Sequence, residues 1–317
     1  MTKVTALHPS NENLAASSSA DNQAAFCRRY QERELTVNLI HQVNHLVQDV
    51  QRHRGISMGL LAGNRAFEGD FYRLQAQIGR RLATMVAFSG LGSDLLLARD
   101  RENLELAWGT IRHDWEDDKL SDNFELHSHF IEQLFLLSGK LAKSLEASLV
   151  ETSMETSAVL TVPADAFPRQ AKQVELLNFT CALLPQMIET MAKIRGLASF
   201  SAAVGSAQYD HDRKLRFLVQ CAREQNEILR QRAQRLHEVL GGDFNAKYVI
   251  GELETKFVHL IELVTHDVLS GQTIQSSSSQ LFNLATDLID KYWRIVDEGL
   301  NLLRLWQRRD LESWVTQ

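Results

Sequence analysis

Two short phrases hold the residues best suited to chemistry: Arg54-Gly55-Ile56 and Arg195-Gly196-Leu197, 141 residues apart. Each lies within a stretch patterned as a long helix. In each, the arginine falls on an apolar stripe with steps of three and four. The first stripe reads Ile40, Val43, Val47, Val50, Arg54, Ser57, Leu61. The same offset gives Cys181, Leu184, Ile188, Met191, Arg195, Ala198, Ala202. The stripe and its interruption both repeat.

A guanidinium on a buried stripe cannot stay unpaired, because burying a lone charge is very costly and arginine does not deprotonate to escape. It must meet a carboxylate, several carbonyls or a ligand anion. Its rigid planar fork of N–H donors matches two oxygens of a planar anion. Two forks from opposite halves of the chain could clamp one small oxyanion. Each charge-assisted bond is worth roughly 1.5–3 kcal/mol before the ion's dehydration is subtracted. Gly55 and Gly196 each cost ~1 kcal/mol relative to alanine inside a helix. Their compensating use is close approach by a neighbouring helix or a small ligand. The alternative is structural: the arginine stem packs with its head in water, or the head pairs with a buried glutamate. Duplication would preserve such a contact equally well.

Other groups offer less. Arg52 and Lys193 occupy matching positions two residues before each key arginine and turn off the stripe, as a solvated face would. Arg232 interrupts an apolar line between Leu229 and Leu236 and is the candidate for a third cation, although Arg230 and Arg235 lie close by. His53 should point away from the site. His259, Glu262 and His266 share one helical face, as do Glu125 and His129. Neither set forms the paired Glu-x-x-His motifs of a di-iron bundle, so no metal is expected. Ser276–Ser279 reads as a loop or N-cap run without a base to make a nucleophile. No glycine-rich phosphate loop follows a strand. The chain reads as a non-enzyme without a cofactor.

The elements that must position these arginines are helices. Four prolines and 16 glycines in 317 residues, with abundant Leu, Ala, Gln, Glu and Arg, favour helix throughout. Residues 1–22 are small and polar and read as a disordered leader. Helical patterning then covers about 26–62, 67–88, 93–115 and 122–149. Residues 151–168 read as a linker. The second half repeats the plan over about 169–204, 211–240, 245–269 and 277–306, with Pro185 expected to kink or restart its first helix. The expected architecture is all-α: two similar antiparallel four-helix bundles, 23–150 and 169–317, packed together.

A net charge of −6 without a Lys/Arg block argues against direct nucleic-acid or anionic-membrane binding, so any anion site must be local. Cys27, Cys181 and Cys221 are odd in number and far apart, which fits reduced thiols. No signal peptide and no apolar run of ~20 residues is legible, so the expected location is cytoplasmic.

The phrase Gln51-Arg52-His53-Arg54-Gly55-Ile56-Ser57 resembles the signature of the NIT domain, the nitrate- and nitrite-sensing module of bacterial signalling proteins. Its usual form is Gln-Arg-Glu-Arg-Gly-Leu-Ser, and His53 stands in place of the glutamate. The resemblance spans about residues 26–310 and is greatest to the sensor part of soluble nitrate-responsive antiterminators. It implies two similar four-helix bundles, with nitrate or nitrite bound between helices by arginines of both halves. Arg54 carries over by the full phrase and Arg195 by its Arg-Gly-Leu. Gly55, Gly196 and Ser57 complete the expected binding set, with Arg232 added from periodicity alone. NIT domains usually accompany an output module. Here the sequence ends at Gln317, just past the last helical pattern, without room for a three-helix RNA-binding domain. The expectation is a sensor acting on a second copy of itself or on a separate output protein.

Overall fold

The computed structural model describes residues 11–89, 95–147, 169–206 and 209–316, and among these every regular element is a helix. The elements are α1 (Asn11–Leu61), α2 (Glu68–Ser89), α3 (Ala98–Arg112), α4 (Leu120–Ser144), α5 (Arg169–Asn178), α6 (Leu184–Val204), α7 (Tyr209–Leu240), α8 (Ala246–Leu263) and α9 (Ser278–Val315). The proposed leader is corrected in part: residues 11–22 are the first turns of α1. Residues 1–10 and the expected linker 151–168 lie outside the described residues.

Local chemistry sets the boundaries. Pro185 stands at the start of α6 and has no N–H to return to the preceding turn, so the chain passes from α5 to α6 through a π-helical turn, Phe179–Leu183. This is the expected restart. Gly241 and Gly242, with φ of +63° and +92°, supply the left-handed backbone that ends α7. Ser277 caps α9 by accepting a bond from the Gln280 N–H at 3.1 Å. At the other end of α4, the Leu145 carbonyl accepts from Arg33 at 2.8 Å and from Gln173. That places a cation where unpaired carbonyls collect.

Two helices form the centre. α1 packs most extensively with α4 and next with α6, ahead of α2, and α6 packs most extensively with α9 and next with α1, ahead of α7. α9 also reaches α1. Helices α3 and α8 lie further out, on α4 and on α7 and α9 respectively. Burial follows this arrangement. From Gln51 to Leu60 only Arg52 is exposed, and from Leu184 to Ser201 only Gln186. Both stripes are buried until their last members, Leu61 and Ala202, which are half-buried. A helix enclosed on all sides has no polar face to lend to water. Each polar side chain within it therefore needs an internal partner. No described helix is long and apolar enough to cross a membrane.

Candidate functional site

Arg54, on the inward face of α1, is fully buried. Its Nη1 and Nη2 donate to the two oxygens of Glu189 on α6, at 2.7 and 3.1 Å. Nη1 also donates to Ser128 Oγ of α4 at 3.0 Å. The guanidinium lies over the Phe124 ring, 5.1 Å from its centroid. A cation over an aromatic face, bonded in parallel to a carboxylate, is held both in plane and in position.

Arg195 has a different environment. It is 3 % exposed, yet it makes no ion pair among the described residues. Nη1 donates to Thr286 Oγ1 of α9 at 3.0 Å and Nη2 to the Gln51 carbonyl of α1 at 2.8 Å. Its guanidinium stands 4.9 Å from the centre of the Phe282 ring. Burial, and next the positive charge of Arg54, push its pKa down to about 9, so it remains a cation at neutral pH. The Nε of Arg195 and the Nε of Arg54 are both buried donors without an acceptor among the described residues.

Gln51 joins the two arginines. Its side-chain amide donates to Glu189 at 2.9 Å, while its backbone carbonyl accepts from Arg195. Lys193 Nζ lies 3.7 Å from the same carboxylate, one turn along α6. Two cations, Arg54 and Lys193, therefore converge on one carboxylate, with Arg195 one residue away through Gln51. The glycines permit this closeness. A Cβ at Gly55 would come within 2.9 Å of the Phe282 ring and 3.6 Å of Arg195 Nε. A Cβ at Gly196 would come within 2.9 Å of Met58 Sδ. Both Arg-Gly phrases thus sit at close helix approaches.

One cleft reaches Glu189 of the pair. A cleft of about 830 Å³ runs between α4 and α6, with Phe135 and Lys143 on one wall, Glu189, Thr190 and Lys193 on the other, and Gln225 of α7 at its edge. Glu189 lines this cleft, and Arg54 lies behind it.

His53 points away from the arginines, as its place beside Arg54 suggests. It lies between Phe71 and Trp108, with ring centroids at 4.5 and 5.1 Å. His127 Nδ1 must donate to the Asn123 carbonyl at 2.7 Å, so its Nε2 accepts from His53 Nδ1 at 2.8 Å. Burial lowers both pKa values, that of His127 to about 3, and keeps both rings neutral. Ser57 also turns to this side. Its hydroxyl bonds Asn123 Oδ1 at 2.7 Å and the Arg54 carbonyl at 3.0 Å, so it serves α1–α4 packing.

Arg232 is corrected. It is exposed on α7 and borders a different cavity, of about 310 Å³, with Glu175 and Gln186. Gln186 precedes Arg195 by nine residues, about 14 Å along a helix, so Arg232 belongs to another level of the structure. Lys193 instead lies half-buried at the cleft rather than on a fully solvated face. His259, Glu262 and His266 are exposed, and no group of metal-ligating side chains occurs among the described residues.

The periodic stripe did not reveal Glu189. A signal was nevertheless present: Glu189 is the one acidic residue between Leu184 and Phe200. Thr286 and Phe282 come from α9, and no local pattern in α1 or α6 points to them. Comparison with protein-family models, curated proteins and solved structures gives no match.

Proposed function

We propose that this chain is a nitrate- and nitrite-sensing signal-transduction protein, binding the anion at the α1–α6 seam through Arg54 and Arg195. The observation that carries this reading is a charge imbalance. One buried carboxylate pairs with Arg54, while the neighbouring buried guanidinium of Arg195 makes no ion pair among the described residues and feels only the more distant negative charges of Asp290 and Glu189. A small planar anion would supply the missing charge and accept from donors now without partners. The NIT-like phrase around Arg54 supports the same ligand class.

In this reading the helices form two similar four-helix bundles, one around α1 and one around α6. The anion favours one relative arrangement of the two. A second copy of the chain, or a separate cytoplasmic output protein controlling nitrate assimilation, reads that arrangement. The coupling requires unequal affinity for the two arrangements, since equal affinity would shift nothing. No catalytic step, cofactor or direct nucleic-acid contact is part of the proposal.

One observation favours a second reading, a helical interaction protein without a small ligand. Glu189 already satisfies Arg54 as a buried ion pair does. Thermal melting in nitrate, nitrite and chloride separates the two. Sensing predicts that nitrate or nitrite stabilises the wild type, by ~2.7 kcal/mol at 100 times its dissociation constant, and that Arg54→Ala abolishes this. Equal melting in all three salts would favour the ligand-free reading.

A further inference from the structure

Glu189 is oddly placed for a residue with only a structural role. Its carboxylate lies between a fully buried guanidinium and an open cleft. The side chain of Arg54 has no exposure, while that of Glu189 keeps 9 %. On the cleft side, Lys193 Nζ waits 3.7 Å away at the i+4 position of the same helix. On the buried side, two Nε donors have no acceptor among the described residues. The carboxylate therefore has a second cation within a short rotation, in a cleft of about 830 Å³ that both residues line.

A carboxylate and a nitrate ion present the same feature to an arginine: two oxygens in one plane, spaced to accept parallel N–H bonds. Glu189 uses this geometry on Arg54, at 2.7 and 3.1 Å. We propose that Glu189 is a built-in stand-in for the ligand, occupying the anion position when the site is empty and moving to Lys193 when an anion enters. This rests on the sensing reading above and adds the regulation of that site.

The stand-in has two effects. It keeps the empty protein folded, because Arg54 alone in this interior would be an uncompensated charge. It also sets a threshold. An entering ion must compete with a tethered carboxylate whose effective concentration is on the order of millimolar or more. A planar oxyanion can meet both Nη groups at once, whereas chloride is a single point. Glu189 is thus the residue that sets specificity and threshold, and Lys193 is its alternative seat. The exchange moves a side chain of α6 off α1, linking occupancy to the contact between the two central helices.

The test is calorimetric titration of sodium nitrate and sodium chloride into the wild type, Glu189→Gln, Lys193→Met and the double variant. Removing the competing charge should tighten nitrate binding at least about tenfold in Glu189→Gln, equivalent to ~1.4 kcal/mol, and leave chloride weak. Lys193→Met should weaken nitrate in the wild-type background and leave it unchanged in the Glu189→Gln background, because only the former has a carboxylate to reseat. Nitrate affinity equal to or weaker than wild type in Glu189→Gln would overturn the stand-in and leave the sensing reading in place. Equal Lys193→Met effects in both backgrounds would overturn the reseating step. Absence of nitrate binding in all four proteins would overturn the sensing reading, and the stand-in with it. If Glu189→Gln does not fold, the shorter Glu189→Asp tests the same point. Its weakened grip on Arg54 should tighten nitrate binding, and unchanged or weaker binding would count against the stand-in.

Discussion

Glu189 of α6 meets Arg54 of α1 through two nearly parallel hydrogen bonds, 2.7 and 3.1 Å long, across 135 positions of chain. The pair ties together the two central helices inside a core that excludes water from Arg54. Removing one partner of such a pair leaves the other buried and uncompensated, at about 3–5 kcal/mol. Glu189→Leu should therefore destabilise the protein by that order, read from urea denaturation. The double variant Arg54→Met/Glu189→Leu should recover most of the loss, because apolar groups of similar volume replace both charges. A double variant no more stable than Glu189→Leu would show that the pair is not the source of the cost.

Alanine at the two glycines separates the two Arg-Gly phrases. At Gly55 a new methyl meets the Phe282 ring at 2.9 Å. That ring is confined by Arg195 and by Phe67, whose centroid is 5.4 Å away. At Gly196 the methyl meets the thioether of Met58, a flexible side chain. Gly55→Ala should lose about 1–3 kcal/mol to overpacking. Gly196→Ala should be near neutral, as the helix-propensity gain of ~1 kcal/mol offsets a small repacking. Thermal unfolding of both variants checks the order, and a Gly196→Ala protein less stable than Gly55→Ala would reverse it.

The His53–His127 pair sets an acid limit on stability. Both rings are neutral when folded, and burial holds His127 down to about 3. An unfolded histidine titrates near 6.5. Between these values the unfolded chain binds more protons, so stability rises with pH and is lost as pH falls below about 6.5. His127 alone should contribute a loss of ~2 kcal/mol between pH 6.5 and 5. Urea denaturation across this window should give a steeper pH dependence for the wild type than for His127→Gln. Equal slopes would contradict the neutral pair.

The sequence made the helices legible because amphipathic periodicity and the glycine and proline breaks are local signals. Pro185 marked its own restart, and the two stripes marked faces of α1 and α6 that are buried. Arg54 and Arg195 were legible because a cation is conspicuous among Val, Ile, Leu and Met. The neighbours of those arginines were not. Thr286 and Phe282 come from α9, and Ser128 and Phe124 from α4, joined to the site only by tertiary packing. Arg232 shows the limit of periodicity, which gives a residue's face and not its level along a neighbouring helix. Ser57 lies on the correct stripe, yet its hydroxyl bonds Asn123 of α4.

In the sensing reading, Arg54 and Arg195, the latter without an ion pair among the described residues, together make a site for a small planar oxyanion. Calorimetric titration of nitrate into wild type and Arg195→Met, with chloride as control, is the sharpest check of this site. Saturable nitrate heat is expected in the wild type, none with chloride, and loss of the nitrate heat in a folded Arg195→Met. No nitrate heat in the wild type, or unchanged binding in Arg195→Met, would contradict that reading.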